Sequence, residues 1–420
     1  MEIASSLQRW IGLVFLAGFV GMFLEEKLHR DKAKPILFAW TFAWILLYFG
    51  MQNYHHTTEL FESHFFEIAQ LFFFLMAAMS MVLMMEDRSI FEKLMNKFLP
   101  HQINEKYLVL YLALFTFVAS GFTDNLTATL IVITMAILLI KDKVKAAITR
   151  VFAANAWWVA MITWDPTTLM VFHAGKASLT DLLYLYPWAL IATLFLWRWL
   201  YKDTNNHQLK IKQQKDFKLQ PKDNGYIFIF LATIAGIFLG HMFFHIPPVI
   251  IFLFGMSIMQ LYARGIGKKK KDKKNLKHIL EKLEWNALLF FVGVLLLVGA
   301  VKEVGLLDYL AQMVNYLNSW EKHVFVIFAG AISAIIDNIP LTATFLSADL
   351  PIKEIDWLLL TYAVGVGGSL LFVGSAAGVI ALSKVPHLKI SDGLKYILPI
   401  FMAYLLGYII SFGILEMMLG

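Results

Sequence analysis

The stretch Ser120-Gly-Phe-Thr-Asp-Asn-Leu-Thr-Ala-Thr129 sets a carboxylate and a carboxamide inside an apolar run, and Asp124 is the only charged residue between Lys106 and Lys141. The pattern returns at Ser333-Ala-Ile-Ile-Asp-Asn-Ile-Pro-Leu-Thr-Ala-Thr344, with Asp337-Asn338 in register 213 positions later. Both copies read S-x-x-x-D-N-x-x-x-T and end on Thr129 and Thr342. An ionisable side chain at bilayer depth is costly and marks a functional site. Two in matching places of two halves point to a transporter.

The rest of the chain fits a membrane. Of its 420 residues 59% are hydrophobic and 16% charged, against about 45–50% and about 25% for soluble domains. Apolar runs near spanning length fall at 10–24, 35–50, 66–85, 182–200, 226–243, 247–263, 285–301 and 394–414. The first run follows a single Arg9 and leads to Glu25-Glu26-Lys27 without a small-residue cleavage site, so it reads as a retained span. With no cysteine, disulfides and Cys-based metal or haem motifs are excluded. The net charge of +6 lies in short loops, a positive-inside pattern rather than a nucleic-acid surface.

Loop charge and parity yield a topology. Basic clusters at 202–222 and 264–282 flank two spans joined by His245-Ile246-Pro247-Pro248, so both clusters are expected in the cytoplasm. Counting back, 86–105 is an amphipathic interfacial helix and 141–150 a cytoplasmic loop. The stretch 106–140 must then enter and leave by the cytoplasmic face. Counting forward, 303–321 is the second amphipathic piece and 323–346 enters and leaves by the outer face. The fold expected is an all-α polytopic membrane protein of about ten transmembrane helices. It is an inverted-topology repeat with two re-entrant hairpins. Residues 1–200 form the first half (hairpin 106–140, broken helix 151–172), 201–224 a basic cytoplasmic linker and 225–420 the second half (hairpin 323–346, broken helix 357–383). Both termini are expected outside, in the plasma membrane, the inner membrane of a bacterium.

The segment after each hairpin is interrupted. Gly365 to Gly378 holds five glycines, each costing about 1 kcal/mol in a helix, so an unwound centre is expected there in preference to small-residue helix packing. Its counterpart, Asn155 to Thr168, breaks at Pro166. At an offset of 210, Asn155 meets Gly365 and Asp165 meets Ser375.

Carboxylate, amide and hydroxyl oxygens suit small hard cations. Burial favours the protonated carboxylic acid, so proton and cation compete for one group. Asp124 and Asp337 are therefore the expected exchanging groups, holding Na+ or H+ in turn. Asn125, Asn338, Thr129 and Thr342 serve as neutral ligands, Asp165 as a third carrier, and Thr167 and Thr168 supply oxygens. His55, His56 and His64, with Glu59 and Glu62, are read as a solvated outer loop rather than a metal site. Thr127, Ser120 and Ser333 are expected to pack or bond within their helices rather than ligate an ion.

Thr123-Asp124-Asn125-Leu126-Thr127 and Asp337-Asn338-Ile339-Pro340 resemble the NhaD-type sodium/proton antiporters of the ion transporter superfamily. Asn155-Ala156, Asp165-Pro166-Thr167-Thr168, Gly367-Gly368-Ser369 and Gly374-Ser375-Ala376-Ala377-Gly378 extend the resemblance over essentially the whole chain. It implies scaffold and transport domains, a homodimer in lipid, and Na+ or Li+ efflux driven by proton entry without a further cofactor. Ser369 and Ser375 join the expected ion-binding set on this ground. Superfamily relatives that carry dicarboxylates have serine-asparagine-threonine tips, whereas aspartate here argues for a cation. Trp157-Trp158, Met161-Ile162 and Trp164 depart from the family's glycines and Ser-Pro, which implies a rebuilt first broken helix or a changed ion preference. The alternatives are a cation-coupled transporter of a small anion and, in another class, an intramembrane aspartyl protease.

Overall fold

The computed structural model describes residues 5–27, 33–51, 53–121, 125–136, 140–159, 161–162, 165–202, 208–210, 218–266 and 276–419. Asp124, Thr163 and Trp164 lie outside the described residues. The first half runs α1 (Ser5–Lys27), α2 (Ala33–Gly50), α3 (Tyr54–Glu86), α4 (Ile90–Phe98), strand β1 (Gln102–Asn104), α5 (Glu105–Ser120), α6 (Asn125–Ala136), α7 (Lys143–Trp158), α8 (Pro166–His173), α9 (Leu179–Leu183) and α10 (Tyr186–Leu200). Strand β2 (Gln208–Lys210) follows. The second half is α11 (Pro221–Phe244), α12 (Pro248–Ile266), α13 (Leu276–Lys282), α14 (Trp285–Glu303), α15 (Asp308–Tyr316), α16 (Ser319–Ser333), α17 (Asn338–Ser347), α18 (Glu354–Gly367), α19 (Ala376–Lys384), α20 (Ile390–Leu394) and α21 (Ile397–Leu419).

Among the described residues, 8 stretches are long and apolar enough to cross a membrane, and the protein is an all-α polytopic membrane protein. The interrupted helices α7–α8 and α18–α19 are not among the 8, because each breaks before spanning length. The only sheet among the described residues is the ribbon of β1 and β2, antiparallel with Ile103 opposite Leu209. It ties the connection between halves to the chain just before α5.

Packing follows the same rule in both halves. α1 lies on α2 as α11 lies on α12; α2 packs against α14 as α12 packs against α3. α5 packs on α7 and α16 on α18, α6 meets α19 and α17 meets α8, and α7 crosses α18. Long helices α3 and α14, 61% buried over their most apolar windows, form the central wall. α11 and α12 turn Phe228, Phe243 and Phe254 outward, an apolar face suited to lipid. α16 and α18 touch at Gly330 and Gly367: a Cβ on Gly367 would stand 2.1 Å from the Gly330 carbonyl oxygen, so backbone lies directly on backbone.

Several expectations need adjusting. The stretch 141–150 is no loop: Asp142 caps α7 at Lys145, and Arg150 is fully buried within the helix. The lysines suggested solvent, but α7 simply starts two turns earlier than its apolar part. The histidine-bearing outer loop is the first turns of α3, started by Asn53, whose side chain accepts from the His56 amide. His64 pairs with Glu303 of α14 at 2.8 Å. Among the described residues no group of three or more His, Asp or Glu side chains is placed to hold a metal ion. The amphipathic pieces are present as α4 and α15, shorter than the stretches that announced them.

Candidate functional site

Four helix breaks converge inside the molecule. α5 ends at Ser120 and α6 begins at Asn125; α16 ends at Ser333 and α17 begins at Asn338. α7 ends at Trp158 and α8 begins at Pro166; α18 ends at Gly367 and α19 begins at Ala376. Each break sets a carbonyl-bearing C-terminus beside an amide-bearing N-terminus, the polar groups that an intact helix would satisfy internally. The unwound segment 368–375 agrees with the glycine-based expectation.

Caps close the second member of three of the four pairs. Asp337 caps α17, its Oδ1 accepting from the Ile339 amide at 3.2 Å. Ser375 caps α19, accepting from the Gly378 amide. Asp165 caps α8 and is fully buried: Oδ1 accepts from the Thr167 amide at 2.8 Å and the Thr167 hydroxyl at 2.6 Å, and Oδ2 lies 2.6 Å from the Thr168 hydroxyl. Asp165 and Ser375, aligned at offset 210 by sequence, thus occupy the same structural position.

A hydrogen-bonded chain links the halves. Asn125 Nδ2 donates to Asn155 Oδ1 at 2.8 Å, and Asn155 Nδ2 donates to Ser369 Oγ and Ser375 Oγ, both at 2.9 Å. Asn155 is fully buried and uses both amide protons and its carbonyl, so one side chain joins α6, α7 and the unwound segment before α19. Ser333 Oγ lies 2.8 Å from Asn338 Oδ1 and 2.6 Å from the Val364 carbonyl oxygen, holding α17 to α18. Its counterpart Ser120 bonds within its own helix, to the Phe117 carbonyl, whereas Ser333 bonds across elements. Thr129 and Thr342 are both buried, and Thr129 Oγ1 has no hydrogen-bond partner among the described residues.

Asn125, Asp337, Asn338 and Ser375 line a cavity of about 370 Å³, walled on the other side by Leu75 and Met79 of α3 and by the start of α14. Among the described residues its lining has no Lys, Arg or His, and its carboxylates are Asp337 and Glu284. Of the expected site residues, the structure brings Asn125, Asp337, Asn338, Ser369 and Ser375 together around this cavity and its hydrogen-bonded back wall. Asp165, Thr167 and Thr168 form a separate triad, which no hydrogen bond among the described residues joins to that chain. Asp124 falls outside the described residues, one position from Asn125.

The tryptophans that break the family pattern have definite places. Trp157 packs edge-on against Phe117 and tilts against Tyr186, and its indole covers Gly121, where a Cβ would stand 1.6 Å from Nε1. Glycine at the end of α5 makes room for the indole. Trp158 lines the cavity. Residues that went unassigned at the level of sequence are Asn155 as the hub, Ser333 as a cross-link and Glu284 at the cavity wall.

A membrane protein whose paired helix breaks bring carboxylate, carboxamide and hydroxyl groups to a mostly apolar cavity at the meeting of two halves belongs to the class of secondary transporters. The comparison with known sequences narrows that class. Residues 14–367 match the CitMHS family, described as citrate transporter, and the chain belongs to this family. It is 31% identical to the Na+/H+ antiporter NhaD of Vibrio cholerae, over 95% of this chain and 89% of the relative. It is 29% identical to the Na+/H+ antiporter NhaD of Alkalimonas amylolytica, over 96% and 90%. Sodium/proton antiporter 1 of Arabidopsis thaliana is 25% identical over 90% of this chain and 67% of that protein. The chain is a transporter and not an enzyme.

Proposed function

We propose that this protein exchanges Na+, or Li+, for H+ across the membrane, with Asp124 and Asp337 as the groups that hold proton and cation in turn. The observation that carries this reading is the cavity: a carboxylate on a half-helix, four further oxygen-bearing side chains, and no cationic residue among the described residues of its lining. Carboxylate and carboxamide oxygens match a small hard cation. Antiport then needs no other machinery than mutually exclusive occupancy. Asn125, Asn338, Thr129, Thr342, Ser369 and Ser375 complete the polar surround. Asp165 with Thr167 and Thr168 forms a second oxygen cluster that serves either the cation or the proton. Relatives of similar length that carry the name of Na+/H+ antiporters support the same assignment.

In this reading the halves 1–200 and 225–420 have opposite orientation, joined by the linker 201–224. The pairs α5–α6 and α16–α17 are re-entrant hairpins open to opposite faces. Their members are 16, 12, 15 and 10 residues long, short of the roughly 20 that a span requires. The lysine-rich segments face the cytoplasm of a bacterial cell, both termini face outward, and the protein works as a homodimer.

The family's description favours a second reading, transport of an anion such as citrate. A polyanion meets Asp337 and Glu284 in the cavity with no opposing cation among the described residues of its lining, so the charge balance argues against it. Reconstituted protein tests the two: Na+- or Li+-dependent collapse of a proton gradient supports exchange, and saturable citrate uptake without it would refute exchange.

A further inference from the structure

Two lysine-bearing segments that loop charge assigns to the same side of the membrane, 141–150 and the stretch from Lys384 to Lys395, come together in the structure. Between them lies a further cavity, of about 520 Å³. Lys141, Lys143 and His387 supply its cationic groups, and Val144, Val385 and Pro386 give it an apolar floor. Asp142 is the one acid in the lining among the described residues, and it is already engaged. It caps α7 at the Lys145 amide, 3.1 Å away, and pairs with the Lys145 ammonium at 3.3 Å. Asp392 is likewise taken, by Lys395 at 2.9 Å. Among the described residues no carboxylate pairs with Lys141, Lys143, Lys384 or Lys389. Lys141 and His387 are exposed, as are Lys384 and Lys389 on either side of the wall 385–388.

Unpaired cations over an apolar floor match an amphipathic anion better than an inorganic one, which would leave the floor without a partner. The surface beside the cavity completes the match. Ile390, Leu394 and Leu398 are 47%, 50% and 61% exposed and recur every four residues from α20 into α21. An apolar stripe next to lysines is the pattern of chain lying at headgroup level, and basic pockets there hold anionic lipid heads.

We propose that this cavity binds the headgroup of an anionic phospholipid, with the phosphate against Lys141, Lys143 and His387 and the acyl chains along Ile390, Leu394 and Leu398. The site joins the two halves. α7 begins at its rim and carries Asn155, whereas α19 starts beside Ser375 and ends at Lys384. A lipid seated here braces the outer ends of two half-helices whose inner parts the Asn155–Ser375 hydrogen bond connects. Because it binds the folded protein, it also stabilises it. The site rests on the cavity and the stripe and not on which ion is carried.

The test is binding of phosphatidylglycerol by full-length protein in detergent, read by native mass spectrometry and by the thermal unfolding midpoint. Phosphatidylcholine of the same chains and inorganic phosphate are the other probes. Phosphatidylglycerol should bind saturably and raise the midpoint, whereas the other two at equal concentration should not. Each lysine beside an anionic head is worth roughly fivefold in affinity, so Lys141→Gln with Lys143→Gln should weaken binding by roughly 25-fold. Lys141→Arg with Lys143→Arg keeps the charge and should keep the lipid. Lys277→Gln with Lys302→Gln removes the same charge elsewhere and should change binding less than about twofold. Ile390→Ser with Leu394→Ser should cut the advantage of long-chain over short-chain phosphatidylglycerol. Equal weakening by the Lys277 and Lys302 pair would reduce the effect to net charge and overturn the site. Stabilisation by phosphate alone would assign the cavity to a free anion, and equal binding of both lipids would leave apolar contact only; either overturns the proposal. Unchanged affinity in the Lys141 and Lys143 glutamine variant would overturn it too. Since nothing is transported in this assay, its failure leaves the exchange reading standing, and a wild type without exchange leaves the lipid site standing.

Discussion

Replacing Asn155 by alanine should uncouple the halves at their polar centre. The side chain makes three buried hydrogen bonds, at 2.8, 2.9 and 2.9 Å, to Asn125, Ser369 and Ser375. A hydrogen bond is worth about 1 kcal/mol net, and a buried partner left unsatisfied costs about 1–3 kcal/mol more. Asn125 and Ser375 also line the cavity, where water can replace the lost partner, whereas Ser369 is not among its lining residues. The sum is a loss of about 4–6 kcal/mol, with the penalty at Ser369 included and those at the other two relieved. Denaturation of purified Asn155→Ala should show it, together with a fall in exchange of at least about tenfold as the half-helix ends lose register. A double-mutant cycle with Ser375→Ala isolates one bond and should return a coupling of roughly 0.5–3 kcal/mol. If Asn155→Ala kept wild-type stability and exchange, the hydrogen-bonded chain would not be what joins α6 to the unwound segment before α19.

Other perturbations follow from packing and charge. Gly121→Ala should destabilise by about 1–3 kcal/mol, because its Cβ would collide with Trp157; adding Trp157→Ala should recover much of that, read as thermal stability in detergent. Asp223 is fully buried between Arg88, at 2.9 Å, and Lys93, at 3.0 Å. Asp223→Asn should therefore lower stability by about 3 kcal/mol, and an unfolding midpoint equal to wild type would contradict the pairing. Gly367→Ala would press a methyl into the Gly330 carbonyl, so loss of folded yield is expected, and normal expression with normal exchange would count against the tight α16–α18 contact.

The apolar runs, the two aspartate motifs and the interrupted segments were legible because each rests on local composition. The repeat at offset 210 to 213 even placed Asp165 opposite Ser375, and both prove to be caps of the second half-helix. Contacts across long separations were not legible. Asn155 reaches Ser375 across 220 positions, and nothing near Asn155 in sequence distinguishes a hub from a buried helix residue. Ser333 and Ser120 share a motif yet differ in partner, because α18 presents the Val364 carbonyl to one of them. The stretch 141–150 resembles a loop in sequence because its lysines stand at the start of a helix, while Arg150 one and a half turns on is buried.

The central claim is that a carboxylate at the cavity carries both proton and cation. It is tested most directly by proteoliposomes with an imposed proton gradient, challenged with Na+, Li+ and K+ across pH, comparing wild type with Asp337→Asn. The account predicts that Na+ or Li+ collapses the gradient in wild type and that folded Asp337→Asn protein does not respond. Full exchange by Asp337→Asn, or a wild type that ignores cations and takes up citrate, would contradict it.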